Sequence, residues 1–203
     1  MSETTQRLLE AAGEVFAEKG FRSATIREIC DRAKTNVAAV NYHYRDKEGL
    51  YLQVLEYWTR IGEEKFPPDL GLGPNPTPEE QLRAFIRSFL FRIFDKGRPA
   101  WLSRLMAHEM ADPTAALDRL IDEVYRPLLD RLAEIVRSLL GAAARDDQVR
   151  LYCRSITGQC LYYYHARPVI QKMTPEFKYE QADLERLADH ITRFSLAALR
   201  QLS

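Results

Sequence analysis

With 203 residues, 46% of them hydrophobic, the chain is long enough for one large domain or two smaller ones and has ample material for a buried core. Its 29 Lys and Arg balance its 29 Asp and Glu, so net charge neither points to nucleic acid nor excludes it, because phosphate attraction rests on a local patch. No apolar run approaches the length of a membrane span, the N-terminus lacks a signal-peptide layout, and Cys30, Cys153 and Cys160 lack metal spacing, as expected of a reduced intracellular protein.

In chain order, Leu8, Leu9, Ala12, Val15 and Phe16 recur at helical spacing, Gly20 ends that helix, and Phe21 plugs the same core from the turn. Thr25 precedes a second rhythm, Ile26, Ile29, Cys30 and Ala33, and Glu28 stands three residues on, the pattern of a capping box. Lys34-Thr35-Asn36 breaks the rhythm. Asn36 then caps a short helix carrying Val37, Val40 and Tyr44 inward, and Asp46 caps a longer one from Lys47 to about Phe66, with Leu50, Val54, Leu55, Trp58 and Ile61 on one face. Two short helices joined by a tight polar turn form a helix-turn-helix, whose second helix is free to enter a DNA major groove.

At these residues the chain resembles the DNA-binding domain of TetR-family transcriptional regulators. Thr25, Ile26, Ile29, Ala33, Val40, Tyr42, Tyr44, Lys47, Glu48 and Leu50 stand at its pattern positions. The run NVAAVNYHYRDKEGLY looks most like the subgroup with a CecR/CerR-type C-terminal domain. Two departures matter. Lys34 stands where the family's turn usually has glycine, which costs about 1 kcal/mol if φ is positive there. Ala38 and Asn41 stand where a glycine and an aromatic residue are frequent.

The resemblance implies phosphate contacts from Thr25, Tyr42 and Lys47. Thr25 and Lys47 lie at helix N-termini, where free N–H groups favour an anion, and Tyr42 joins a hydroxyl to a ring that packs on the sugar. Thr35, Asn36, Ala38, Ala39, Asn41, Tyr42 and His43 are the groups left to point outward. Asn41 suits adenine, and the alanine methyls suit thymine. His43 is expected to stack, to donate to phosphate or merely to fill the turn, and Arg27 and Lys34 add to a basic bias between Arg22 and Lys47.

Beyond Phe66, the stretch PPDLGLGPNPTPEE cannot continue a helix and reads as a loop. Only helix signals follow: Leu82 to Ile93, stopped at Gly97 and Pro99; Trp101 to Met110; Leu117 to Leu140, with Pro127 kinking or restarting it; Asp146 to Ala166; a loop with Pro168 and Pro175; and Ala182 to Gln201. The fold class is all-α. A helix-turn-helix domain is expected over 1–48 and a ligand-sensing, dimerising bundle over 49–203, with helix 47–66 linking the two.

The resemblance further implies a repressor that binds palindromic, double-stranded operator DNA as a homodimer, its half-sites about 34 Å apart. Tyr152, Ile156, Cys160 and Tyr163 on one helix, and Leu187, Ile191, Phe194 and Ala198 on the last, would form the dimer seam. A small, mostly apolar effector would sit among Phe89, Trp101, Leu105 and Tyr162, with Arg104, His108 and Gln159 as polar partners. No cofactor, metal ligand, catalytic residue or membrane partner is expected.

Two rivals are a thiol-based redox-sensing regulator and a helical metal-dependent enzyme. Cys153 and Cys160, seven apart, lie about 10.5 Å apart along one helix, too far to bridge within it, so a redox role would need a bond across subunits. The run HEMAD at His108 opens like a zinc-protease motif but has Asp112 where the second histidine belongs.

Overall fold

The computed structural model describes residues 3–97, 99–141 and 144–201, and every regular element among them is helical. The helices are α1 (Glu3–Ser23), α2 (Ile26–Ala33), α3 (Val37–Tyr44), α4 (Lys47–Lys65), α5 (Pro78–Ile93), α6 (Ala100–Ala111), α7 (Ala116–Leu120), α8 (Arg126–Leu140), α9 (Asp146–His165), α10 (Arg167–Met173) and α11 (Gln181–Gln201). They pack as two compact units. One holds the chain through Ile61 together with Lys96–Arg126; the other holds Gly62–Asp95 and the chain from Pro127 onward.

In the first unit the predicted apolar stripe of α1 is buried. Leu8, Val15 and Phe16 meet Ile29 of α2, Val40 of α3 and Leu50 and Leu55 of α4 in one cluster. Gly20 breaks the helix where the sequence expects it to end, at φ 74° and ψ 165°, a conformation that a Cβ would strain, and only the short turn 21–23 follows before α2. Phe21, just beyond, lies 5.0 Å from the Tyr51 ring, and Tyr51 meets Phe16 edge-on at 4.9 Å. Helix α6 seats Trp101 against α1 at Gly13, where a Cβ would stand 2.1 Å from the indole. A buried polar link joins α6 to α4: the Tyr51 hydroxyl donates to Glu109 (2.7 Å), which also accepts from the Thr114 amide (2.9 Å).

The second unit surrounds α5, which packs on α9 and α11. Thr77 and Glu80 form a full capping box at its start, with Pro78 in the first turn, where its missing N–H costs nothing. Leu82, Phe85, Ile86 and Leu90 meet Leu132 and Val136 of α8, Ile156 and Cys160 of α9, and Leu187 and Ile191 of α11. Outside that core, Arg83 pairs with Asp189 (2.6 Å) and Arg87 with Glu185 (2.7 Å).

The helix expected over 117–140, kinked or restarted at Pro127, is helical throughout as α7, a π-helical turn at Ile121–Tyr125 and α8, with the Arg126 amide reaching back to the Ile121 carbonyl. Pro127 has no N–H and its ring crowds the carbonyl four residues back, which favours a widened turn just before it. The loop expected around Pro168 contains α10, where that proline lies in the first turn and so removes no helical bond.

Candidate nucleic-acid interface

Helix α2 starts as its sequence demands. The Thr25 hydroxyl accepts from the Glu28 amide at 3.2 Å. The expected reciprocal half of the box is absent because the Glu28 carboxylate pairs with Lys19 instead. Lys34 closes the helix in the left-handed conformation, φ 53° and ψ 48°, so the turn keeps its geometry without glycine. Asn36 then caps α3, its side-chain oxygen accepting from the Ala39 amide at 2.9 Å, and Asp46 accepts from the Gly49 amide at 2.8 Å to start α4.

Of α3, Val40 and Tyr44 enter the core, and burial pushes the Tyr44 phenol up to about 12. Val37, expected inward, is 44% exposed. A helical side chain leans over the turn before its own Cα, and at the first position that turn is the exposed connection rather than the core. Asn36, Ala38, Asn41 and His43 are exposed, Thr35 and Ala39 half-buried, and Tyr42 is 85% exposed with its ring edge-on to His43 at 5.0 Å. This face therefore offers an amide, methyls, an imidazole and a phenol, the groups that read base edges or grip backbone.

The local basic bias divides in two. Arg32 is held on α1 by Glu18 through two bonds of 2.9 Å, and Arg22 pairs with Asp112 at 2.9 Å. Arg27, Lys34 and Arg45 are exposed, and none of them forms an ion pair among the described residues. Arg45, part of the basic bias read from the sequence but not among the expected contacts, caps α3 at φ 72°. Lys47 is half-buried, and its ammonium donates to the carbonyls of Phe21, Arg22 and Ala24.

The candidate effector residues fall in both units. Trp101 and Arg104 line a cavity of about 530 Å³ in the first unit with Trp58, Pro99, Glu10, Glu14 and Glu18. Leu105 is buried in that unit's core, and His108 is exposed on α6. In the second unit Phe89 stacks on Phe85, Gln159 Nε2 lies 3.5 Å from Ser195 Oγ, and Tyr162 is exposed. A second cleft there, about 740 Å³ between the 67–77 loop and α8, is lined by Pro68, Leu72, Pro76, Arg131 and Ile135 among others and by none of the expected residues.

For the expected seam, Ile156, Cys160, Leu187 and Ile191 are buried in the chain's own core, and Tyr152, Tyr163 and Ala198 are half-buried. Phe194 alone of that set is largely exposed, at 62%. Helices α9 and α11 carry apolar residues on two faces, and the inward face was the more regular in sequence. The outward face presents Leu151, Leu161, Tyr162 and Phe194, with Gly158 open beside them. Burial pushes the thiols of Cys153 and Cys160 up to about 11 and about 12, the setting of an inert thiol rather than a redox sensor. Asp112, four residues after His108, is taken by Arg22, and among the described residues no three His, Cys, Asp or Glu side chains gather as a metal site.

Residues 8–54 match the family described as bacterial regulatory proteins, tetR family, and residues 78–199 match the C-terminal domain of the HTH-type transcriptional dual regulator CecR. CecR of Shigella flexneri is 27% identical over 198 residues, covering 92% of this chain and 87% of that protein. Among solved structures, FadR of Bacillus subtilis in complex with stearoyl-CoA superposes with a TM-score of 0.67 at 18% identity, covering 95% of this chain and 97% of that one. AibR in complex with isovaleryl coenzyme A and operator DNA gives 0.63 at 21% identity, with coverage of 95% and 97%.

Proposed function

The chain belongs to the TetR family of bacterial regulators, with a C-terminal domain of the CecR type, and is thus a DNA-binding transcription regulator; we propose that it represses from a palindromic operator as a cytoplasmic homodimer and is released by a small, mostly apolar effector. One observation carries the reading. Tyr42 is 85% exposed on α3 beside Asn41 and His43, on a helix whose Val40 and Tyr44 already supply its packing. Folding gives no reason to leave a tyrosine so bare, whereas a phosphate and sugar would cover it.

In this reading α3 lies in the major groove, Asn41 and the exposed methyls face bases, and Thr25, Tyr42, Arg27 and Lys34 grip the backbone. The dimer forms through the outward faces of α9 and α11, where Phe194, Tyr162 and Leu161 lie exposed. Two structures of this fold hold an acyl-CoA, whose acyl chain matches the apolar part of such an effector while its coenzyme A moiety is large and polyanionic. An acyl-CoA and the corresponding free acid are therefore the first pair to compare. Helix α4 begins three residues after α3 and its last turn belongs to the second unit, so it is the segment through which an effector would shift the population away from the DNA-competent state.

Footprinting of the purified protein on the DNA upstream of its own gene, at several salt concentrations, tests this. A protected palindrome that weakens with salt is expected. Tyr42→Ala should bind roughly five- to tenfold more weakly, the worth of about one hydrogen bond and its packing, with an unchanged melting temperature. Failure to protect any fragment of the source genome would overturn the reading.

A further inference from the structure

The ammonium of Lys47 sits where a phosphate contact is expected, yet its hydrogen bonds run inward. Nζ donates to the carbonyl oxygens of Phe21 (2.9 Å), Arg22 (3.3 Å) and Ala24 (3.1 Å), and lies 4.6 Å from the centre of the Phe21 ring. A lysine has three N–H donors and no more. Each one here has a carbonyl. The segment that supplies those carbonyls has just turned at Gly20 and leads directly into Thr25, the N-cap of α2.

We propose that Lys47 is a positioning residue for DNA binding and not a phosphate contact: it cages the carbonyls of residues 21, 22 and 24 and thereby holds the start of α2 against the first turn of α4. The proposal rests on the regulator reading given above. Its physics is local. Three converging carbonyl oxygens repel one another, and beside the N-terminus of α2 they would also repel a phosphate approaching the amides that follow Thr25. One ammonium neutralises both effects. It also ties together residues 23 to 26 apart in sequence, so that a shift of α4 carries the start of α2 with it.

The geometry separates this role from a phosphate contact by the shape of the donor. Phosphate accepts either an ammonium or a guanidinium, but the flat fork of a guanidinium cannot address three carbonyls arranged around a point. Removing a phosphate contact also lowers the slope of log affinity against log salt by about 0.9, whereas removing a positioning residue leaves that slope in place.

The test compares wild type, Lys47→Met and Lys47→Arg on operator DNA across a salt series, at a temperature where circular dichroism shows each variant folded. Both variants should bind roughly 10- to 100-fold more weakly, the range for losing hydrogen bonds to a charged group, with the wild-type salt slope. A Lys47→Arg protein that binds like wild type, or a Lys47→Met slope shallower by about 0.9, overturns the proposal. Should a variant not fold, nitrogen-15 spectra of the wild-type lysine ammoniums decide. The Lys47 resonance should be protected from exchange in the free protein and unmoved by DNA, and an exchanging resonance or one that moves on binding refutes the cage. Wild-type protein that shows no salt-dependent operator binding refutes the regulator reading instead, and the free-protein spectrum still reports on the cage.

Discussion

Lys34 occupies a backbone conformation that suits glycine, and its side chain is exposed with no ion pair among the described residues. Two contributions at this position therefore have opposite signs. Lys34→Gly should relieve about 1 kcal/mol of left-handed strain and raise Tm by about 2–4 °C, while lowering operator affinity and its salt slope through the lost cation. Lys34→Ala keeps the Cβ and should reproduce the affinity loss without the gain in Tm; thermal melts and a salt titration of both variants check this. At this scale the sequence was legible wherever a side chain had a local partner. Thr25, Asn36 and Asp46 cap the helices they precede because each short polar group finds an amide three residues on. Lys47 was legible as a cation at a helix start but not as a cage, because its three partners lie more than twenty residues upstream.

At the scale of elements, the contact of α4 with the π-helical turn concentrates charge. Arg119 reaches Glu56 at 3.4 Å and Glu123 at 3.1 Å. Burial of Glu56, and then its bond to and the charge of Glu123, lift the Glu56 carboxyl to about 7 against an ordinary 4.5, with Arg119 opposing. Glu123 moves the other way. A raised carboxyl pKa means that the folded chain holds a proton that the unfolded chain has released. The stability from that proton is complete below pH 4.5 and drains away as pH rises to about 7. Glu56→Gln should flatten this part of the stability–pH curve and leave the variant more stable than wild type at pH 8, as urea denaturation at pH 5, 6, 7 and 8 would show. Helix positions were readable from apolar spacing and from prolines. The π turn was not, since one extra residue per turn leaves the composition unchanged and shifts only the register. Helix α10 was missed for a related reason: a proline reads as a breaker unless its place in the first turn is known.

For the whole molecule, the sequence spoke clearly about an all-helical chain with a DNA-reading start, and poorly about which apolar stripe serves the core. Helices α9 and α11 each carry hydrophobic residues on more than one face, and periodicity alone does not say which face a second chain would cover. Burial separates them. Ile156, Cys160, Leu187 and Ile191 belong to the core, and Leu151, Leu161, Tyr162 and Phe194 are left outside. If the outward set is the seam, Phe194→Asp should give a folded monomer in sedimentation equilibrium, since a buried unpaired carboxylate opposes association strongly. It should also lose most affinity for a full palindrome while keeping the weak affinity for a half-site. A practical consequence follows from the burial of Cys30, Cys153 and Cys160, whose thiols all stay protonated near neutral pH. A maleimide will pass them by, so a probe attached through Ser23→Cys, at an exposed position of the first unit, would report the distance between two partner chains in otherwise native protein.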